Sequence, residues 1–295
     1  MRDSAVLLID CPDQKGLVAR VAGMLYERGA NILHADQHQD HDLGLFFMRV
    51  EWALNGHTEG DASEGAHPAF DLEGFKAAFA PLAAELGMRW KLSWSARQPR
   101  MALFCSQYLH CMADLLHRYR TGELGCEIPV IVSNHREVEK LAAFYGIPFE
   151  YVPVTAATRG EAEARQLELL ARHEVELVVL ARYMQILSPE FVGRYRAAII
   201  NVHHSFLPAF TGARPYHAAH ARGVKLIGAT SHYVTELLDE GPIIEQDVAR
   251  ISHRDQVEDL VARGRDLERM VLSRAVRWHL DRRILCYGNK TVVFD

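Results

Sequence analysis

Hydrophobic positions in the first third of the chain alternate between strand-like and helix-like spacing. Apolar residues recur at period two in some segments and at helical period in others. Six segments predict strand, helix, strand, strand, helix and strand, in that order: residues 5–9, 17–25, 31–39, 45–54, 75–86 and 88–94. Residues 55–68 are rich in Gly, Glu and His and predict a loop. The order βαββαβ is typical of a ferredoxin-like domain.

The pattern changes after residue 100 to apolar runs that alternate with amphipathic segments. The apolar runs predict strands at residues 101–105, 128–133, 149–153, 176–181 and 197–201, and the amphipathic segments predict helices at 109–119, 136–145 and 161–172. Nearly unbroken apolar strands in repeated βα units indicate a mostly parallel, Rossmann-like sheet covered on both faces. A strand pair at 226–234 and 242–248, a long helix at 256–282 and a terminal hairpin at 285–294 follow.

The polar stretch 95–99, which contains Pro99, separates the two patterns. The sequence therefore predicts an α/β protein with an N-terminal domain at 1–94, a linker at 95–99 and a second domain at 100–295.

Composition excludes several classes of protein. Of 295 residues, 49% are hydrophobic and 24% are charged, which excludes a disordered chain, and a net charge of −5 gives no basic surface for nucleic acid. No apolar run approaches the ~20 residues that span a bilayer, and no signal peptide is evident, so we expect a cytoplasmic protein that binds no membrane. The five cysteines form no C-x-x-C pair, which disfavours a disulfide framework or a thiolate metal site.

Polar side chains that could perform chemistry follow the predicted strand at 197–201. Ligands of parallel sheets bind beyond the carboxyl ends of the strands. If the chain stays extended, Asn201 and His203 lie on one face and His204 points the other way. Asp239 lies in a turn before a later strand, where a carboxylate can orient an imidazole or accept a proton. Spacing alone does not show that Asp239 meets His203.

Three segments resemble a known protein family. Residues 181–189 (ARYMQILSP), 201–208 (NVHHSFLP) and 228–246 look like the folate-binding and catalytic motifs of the formyltransferase fold. Residues 201–216 and the tail Tyr287-Gly288-Asn289-Lys290 further resemble the formyltetrahydrofolate deformylases, which are hydrolases with an N-terminal ACT domain. The resemblance covers essentially the whole chain.

The resemblance implies a reaction and its catalytic residues. The catalytic amide, imidazole and carboxylate of the family fall on Asn201, His203 and Asp239. Water would attack the formyl carbon of 10-formyltetrahydrofolate directly, with no metal, no cofactor and no covalent intermediate. The products would be tetrahydrofolate and formate, and the formate would supply purine synthesis and balance the one-carbon pool.

The resemblance also implies binding residues and partners. Met184, Gln185, Ile186 and Leu187 match the segment whose backbone lies along the pterin, and His232 falls near the reacting end of the folate, in a supporting role at most. ACT domains bind amino acids or pair with copies of themselves. An amino-acid effector would contact the loop before the first helix, at Asp10, Asp13, Gln14, Lys15 and Gly16. The other interpretation is a dimerisation module alone, and we expect a homo-oligomer, either a dimer or a tetramer.

The loop at 105–110 bears on the reaction type. Related transferases hold a substrate phosphate on a glycine-rich loop at the corresponding place, whereas this loop contains no glycine. This absence disfavours a phosphorylated amine acceptor and favours water. Two alternatives stay open, a formyltransferase that uses another amine and a non-catalytic regulator that binds folate and responds to an amino acid.

Overall fold

A computed structural model of the protein describes residues 3–54, 70–95, 97–209 and 215–294. The loop predicted at 55–68 lies outside the described residues. The strands are β1 (Ser4–Pro12), β2 (Asn31–Asp40), β3 (Leu45–Ala53), β4 (Arg89–Trp94), β5 (Met101–Cys105), β6 (Ile131–Ser133), β7 (Phe149–Tyr151), β8 (Leu177–Leu180), β9 (Ile199–His203), β10 (Leu226–Tyr233), β11 (Ile243–Arg250), β12 (Ile284–Tyr287) and β13 (Lys290–Val293). The helices are α1 (Leu17–Glu27), α2 (Leu72–Glu85), α3 (His110–Arg120), α4 (Glu139–Tyr145), α5 (Arg159–Arg172), α6 (Pro189–Arg194), α7 (Pro215–Arg222) and α8 (Val257–Leu280).

The chain divides into two compact units. The first contains Met1–Arg97 with Arg282–Leu285 and Val292–Asp295, and the second contains Gln98–Asp281 with Cys286–Thr291. This grouping differs from the predicted division, which placed the whole terminal hairpin in the second domain. One hydrogen bond within the first unit contributes to this grouping: Arg49 Nε in β3 donates to the carbonyl oxygen of Arg282, two residues before β12, at 3.1 Å.

The first unit contains the predicted βαββαβ order. Its four strands pair antiparallel in the order β2-β3-β1-β4. Alternate residues of β1, including Leu7 and Ile9, share one hydrophobic cluster with Phe75 and Phe79 of α2. One face of β1 and the apolar stripe of α2 therefore meet in this core, while the residues on the other face of β1 from Ser4 to Leu8 are buried as well.

The second unit contains a seven-stranded sheet in the order β11-β10-β9-β8-β5-β6-β7. The pairs among β5 to β9 are parallel, and β10 and β11 add two antiparallel strands. The fold class is confirmed, including the mostly parallel sheet. Because β5, β8 and β9 are parallel, their carboxyl ends lie at one edge of the sheet. Strand order reverses between β8 and β5, and such sheets bind ligands at this point of that edge.

Two short helices, α6 and α7, were not predicted. The side chain of Ser188 caps α6 by accepting a hydrogen bond from the backbone N–H of Phe191, and Pro189 occupies its first turn. Six and eight residues are too few to show a helical period clearly. Among the residues that the structure describes, no helix has the length and apolar character to cross a membrane.

Candidate active site

Strands β9 and β10 place an amide and an imidazole side by side. Their antiparallel register pairs Asn201 with His232 and His203 with Thr230. Directly paired residues share a face of the sheet, so these four side chains lie on the same side. Asn201 Nδ2 lies 3.3 Å from His232 Nε2.

The turn after β10 brings a carboxylate to His203. Asp239 Oδ2 lies 3.2 Å from His203 Nδ1, and its Oδ1 lies 3.7 Å from His232 Nε2. Asp239 has a φ of 57°, a left-handed conformation that is uncommon outside glycine and that aspartate adopts more readily than most residues. Gly241 permits the tight turn, because a Cβ there would lie 1.8 Å from the carbonyl oxygen of Tyr233. The structure thus brings together the three residues that sequence spacing alone could not connect.

The hydrogen bonds fix the proton on one imidazole. His232 Nδ1 lies 2.9 Å from the carbonyl oxygen of Tyr233, and a carbonyl only accepts, so Nδ1 carries the proton. In the neutral ring Nε2 is then an acceptor, and it receives a hydrogen bond from the amide of Asn201. His232 therefore orients Asn201, and the second amide hydrogen of Asn201 is available to another acceptor.

Asp239 is an ionised carboxylate. The hydrogen bond from His203 holds the pKa of Asp239 well below its usual range, although partial burial acts in the opposite direction. His203 itself is 6% exposed, and its Nε2 is buried with no hydrogen-bond partner among the described residues. A buried ring nitrogen without a partner is the atom expected to meet a reacting group.

The predicted folate loop follows β8 at the same edge of the sheet. Met184 and Ile186 are exposed, Gln185 is half-buried and Leu187 is buried. The hydroxyl of Ser106, at the end of β5, accepts a hydrogen bond from the backbone N–H of Met184 at 3.0 Å. The guanidinium of Arg159 donates to the carbonyl oxygen of Ile186.

Two cavities adjoin these residues. One of about 510 Å³ is lined by Asp239 and Pro208 and by Tyr287, Asn289 and Lys290 at the turn of the β12–β13 hairpin. This volume lies within the range of small-molecule sites. The other lies behind Ile186 and Leu187, on the side of α5, and measures only about 10 Å³.

A buried carboxylate that sequence reasoning missed lies in α8. Glu268 is 1% exposed, and it accepts hydrogen bonds from Tyr216 Oη at 2.7 Å and His110 Nε2 at 2.8 Å. Arg182 Nε lies 3.5 Å away. Its position four residues after Gly264 and three before Val271 places it on the buried stripe of the helix. A charged residue on that stripe is the signal that could have found it.

His110, Cys111 and Glu268 have the atom types of a metal site, but a neighbouring guanidinium offsets the negative charge that would hold a cation. Ligand atoms of His110, Cys111 and Glu268 lie within 4.8 Å of one another. The oxygens of Glu268 already accept two hydrogen bonds, and the cationic Arg182 guanidinium lies beside them. Burial raises the pKa of the Cys111 thiol, which disfavours the thiolate that metals bind. We interpret the group as an ion-pair network.

The prediction that His204 points away from His203 is wrong. The two rings stack with centroids 5.2 Å apart and planes inclined by 26°. Strand β9 ends at His203, so the alternation of an extended chain no longer applies to the next residue.

The predicted effector loop begins at the end of β1. Gly16 is the N-cap of α1 and has a φ of 88°, with no side-chain cap. Gln39 donates to the carboxylate of Asp13 at 3.2 Å, and Gln14 donates to the carbonyl oxygen of Leu86 at 3.1 Å. Asp10 pairs with Arg89, and Lys15 is exposed.

Comparison with known proteins agrees with this architecture. The family model described as "Formyl transferase" matches residues 99–276, and the "ACT domain" model matches residues 5–52. A formyltetrahydrofolate deformylase of Synechocystis is 52% identical over 291 residues, which cover 99% of this chain and 98% of that protein. The chain belongs to the formyltetrahydrofolate deformylase family. The corresponding protein of Bacillus subtilis is 48% identical over 99% of this chain and 94% of its own length.

A solved structure supports membership of the deformylase family at the level of the fold. The crystal structure of a formyltetrahydrofolate deformylase from Pseudomonas syringae pv. tomato superimposes with a TM-score of 0.93. The two sequences are 47% identical, and the match covers 100% of this chain and 95% of that one. Both the family and the fold expected from the sequence motifs are confirmed.

Proposed function

We propose that this protein hydrolyses 10-formyltetrahydrofolate to formate and tetrahydrofolate by direct attack of water. The observation that carries the proposal is the 3.2 Å contact between His203 Nδ1 and Asp239 Oδ2, beside Asn201, with His203 Nε2 buried and unpartnered among the described residues. The oxygen of water bonds to the formyl carbon, and the bond from that carbon to N10 breaks. One proton of the water ends on N10, and the other leaves as formic acid ionises to formate.

Asn201 and His203 stabilise the charge that develops on the formyl oxygen. The amide hydrogen of Asn201 not used by His232 and a proton on His203 Nε2 both donate to this oxyanion. Because Nε2 is buried, its hydrogen bond forms away from competing water and is stronger than in solution. His232 has the supporting role of holding the Asn201 amide in place.

Asp239 stabilises the charged form of His203. The sequence left two roles for this carboxylate, proton acceptor or partner of an imidazolium. Its lowered pKa makes it a weak base, which favours the second role. A positive charge on His203 is stabilised because the ionised carboxylate lies directly against Nδ1.

The pteridine lies along the outer side of the loop at Met184, Gln185, Ile186 and Leu187. The cavity behind the loop, at about 10 Å³, is too small for this ring system. The N–H of Met184 is committed to Ser106, so contacts with the pterin come from the rest of the backbone of the loop. Gln185 then needs no specific side-chain role.

These steps use side chains of this chain and water alone, so we propose that the reaction needs no resident metal or cofactor. Dialysis against a chelator is expected to leave the rate of formate release unchanged. A loss of activity that Zn²⁺ or Mg²⁺ restores would contradict this proposal.

The deciding assay measures formate released from 10-formyltetrahydrofolate with no added amine. Asn201→Ala, His203→Ala and Asp239→Ala are each expected to fold and to lose turnover by about 10²- to 10³-fold, the effect of losing one oxyanion donor or its support. Near-normal turnover in all three variants would refute the assignment of the site. Appearance of a formylated amine in place of free formate would instead identify a transferase.

The loop before α1 is proposed to bind an amino-acid effector. Helix α1 begins after Gly16 without a side-chain cap, so the first backbone N–H groups suit a carboxylate. Asp13 and Gln14 are held by neighbouring strands and turns and give the loop a fixed shape. Titration calorimetry with a panel of amino acids tests this interpretation. If no amino acid in the panel gave a heat of binding, pairing of ACT domains would remain as the role of the N-terminal unit.

A further inference from the structure

Among the residues that the structure describes, hydrogen bonding holds the imidazole of His203 at one atom only. Nδ1 contacts Asp239, whereas Nε2 has no partner among the described residues. The terminal torsion of a histidine is broad, so one hydrogen bond leaves the plane of the ring poorly defined. The direction of Nε2, which the proposed reaction depends on, therefore needs a second contact.

His204 supplies a contact with the face of that ring. The two imidazoles stack at 5.2 Å, and both residues are buried, at 6% and 7% exposure. A ring against its face stops His203 from turning about the bond that joins it to its Cβ. The stack is possible because β9 ends at His203 and the chain turns there.

His204 is in turn supported from helix α8. Its ring lies 6.1 Å from that of Tyr216, and the hydroxyl of Tyr216 donates to the buried carboxylate of Glu268 at 2.7 Å. Burial, and after it the charge of Glu268, raise the pKa of Tyr216, so the hydroxyl keeps its proton and remains a donor. The contacts run without interruption from α8 to His203.

We propose that His204 is a positioning residue: its ring, supported by Tyr216 and Glu268, fixes the plane in which His203 Nε2 meets the formyl oxygen. The inference rests on the proposed hydrolysis and extends it. His204 touches no reacting atom in this scheme. Its effect is on the alignment of His203 and therefore on the chemical step, because a small misplacement of a catalytic group lowers the rate strongly.

The test compares variants of His204 in the full-length protein. His204→Ala removes the ring and is expected to lower kcat at least about tenfold, with a change in KM of less than about threefold. His204→Phe keeps a flat ring without nitrogen atoms and is expected to restore kcat to within about fivefold of the parent. Tyr216→Phe, which loses the bond to Glu268, is expected to fall between the two. His217→Ala is the matched control, because His217 is the exposed residue next to Tyr216 on α7.

Each outcome supports or contradicts the positioning role of His204. Parental kcat in His204→Ala, or equal losses in His204→Phe and His204→Ala, would overturn the inference, the second by showing that the nitrogens and not the stacked ring are needed. A raised KM with unchanged kcat would also overturn it. Melting temperatures of all variants identify a general loss of structure. Such a loss lowers the amount of active enzyme, but at equal folded fraction it does not change the ratio of kcat between His204→Phe and His204→Ala. No formate release from the parent protein would refute the proposed function instead.

Discussion

Ser106 illustrates how one small residue can organise the edge of the sheet. It is 2% exposed and follows β5 directly. Its backbone N–H donates to the carbonyl oxygen of Arg182, its hydroxyl donates to Asn134 Oδ1, and the same hydroxyl accepts from the N–H of Met184. Loops that follow β5, β6 and β8 are thereby joined at one side chain. The sequence did not identify Ser106, because nothing in its spacing shows that three loops meet there.

Replacement of Ser106 by Ala should weaken binding of the folate more than it slows the chemistry. The N–H of Met184 loses its acceptor, and the loop that is proposed to bind the pterin must then be ordered by the substrate. One net hydrogen bond is worth about 1 kcal/mol, so we expect KM for 10-formyltetrahydrofolate to rise about fivefold. Steady-state kinetics of formate release measures both parameters, and kcat should change less than about threefold.

Ser133→Ala is the control for this variant. Ser133 is also buried at the end of a neighbouring strand, but its hydroxyl accepts from the N–H of His135 and not from the folate loop. Its KM should stay at the parental value. An unchanged KM in Ser106→Ala, or the same increase in both variants, would show that Ser106 does not hold the loop.

At the scale of elements, the spacing of apolar residues predicted helix α8, but it did not predict the hydrogen bonds that Glu268 accepts from Tyr216 and His110. The helix begins with a capping box between Gln256 and Asp259, and its apolar stripe is buried as the spacing predicts. Gly264 interrupts that stripe because a Cβ there would lie 2.1 Å from Cζ and Oη of Tyr216. The glycine thus leaves the space through which Tyr216 reaches Glu268.

Gly264→Ala should destabilise the protein, although alanine is the better helix former. Helix propensity alone would favour the variant by about 1 kcal/mol. The buried ring of Tyr216 has to move, which strains the packing and breaks its hydrogen bond to Glu268. We expect a net loss of about 1–3 kcal/mol in the free energy of unfolding, measured by urea denaturation.

Gly193→Ala in α6 provides the contrast in the same unit. A Cβ at Gly193 meets no atom within 4 Å, so this variant should be as stable as the parent or slightly more stable. Equal behaviour of the two glycine variants would mean that the contact between Gly264 and Tyr216 does not constrain the helix.

Long elements were predictable here and local turns were not. The period of α8 and the apolar runs of β5 and β8 are set by burial on one face, and burial is visible in sequence. Asn201, His203 and Asp239 were named by resemblance to a family, yet their contact depends on the left-handed turn at Asp239, which no spacing rule predicts. The predicted orientation of His204 was wrong because β9 ends at His203, so the alternation of an extended strand does not apply to His204.

At the scale of the whole molecule, two ionised carboxylates, one partly buried and one buried, connect the chemistry with stability. Asp239 contacts His203 in the candidate site, and Glu268 in α8 accepts a hydrogen bond from Tyr216. Burial alone would raise the pKa of Glu268, but the hydrogen bond from His110 and the charge of Arg182 outweigh it, and the pKa is lowered. Both carboxylates are therefore ionised in the folded protein at neutral pH. The predicted homo-oligomer, by contrast, stays a prediction that sedimentation of the intact protein can test.

The lowered pKa of Glu268 predicts how stability depends on pH. A carboxyl group whose pKa is lower when folded binds fewer protons in the folded than in the unfolded state at acid pH. Its stabilisation is therefore present above the ordinary value of 4.5 and is lost as pH falls from there through the lowered pKa. Asp239 adds to this loss below its ordinary value of 3.8. Urea denaturation between pH 7 and about pH 3.5 should show the free energy of unfolding falling below about pH 4.5.

Glu268→Gln separates this contribution from the rest of the molecule. The variant should be less stable at pH 7 by about 3 kcal/mol, because His110 and Arg182 lose their charged partner in a buried setting. Its acid-dependent loss should be smaller than that of the parent, since a glutamine binds no proton. Glu190→Gln removes an exposed ion pair with Arg194 and should leave the parental curve unchanged. Parallel curves for the parent and Glu268→Gln would show that this carboxylate is not the group that titrates.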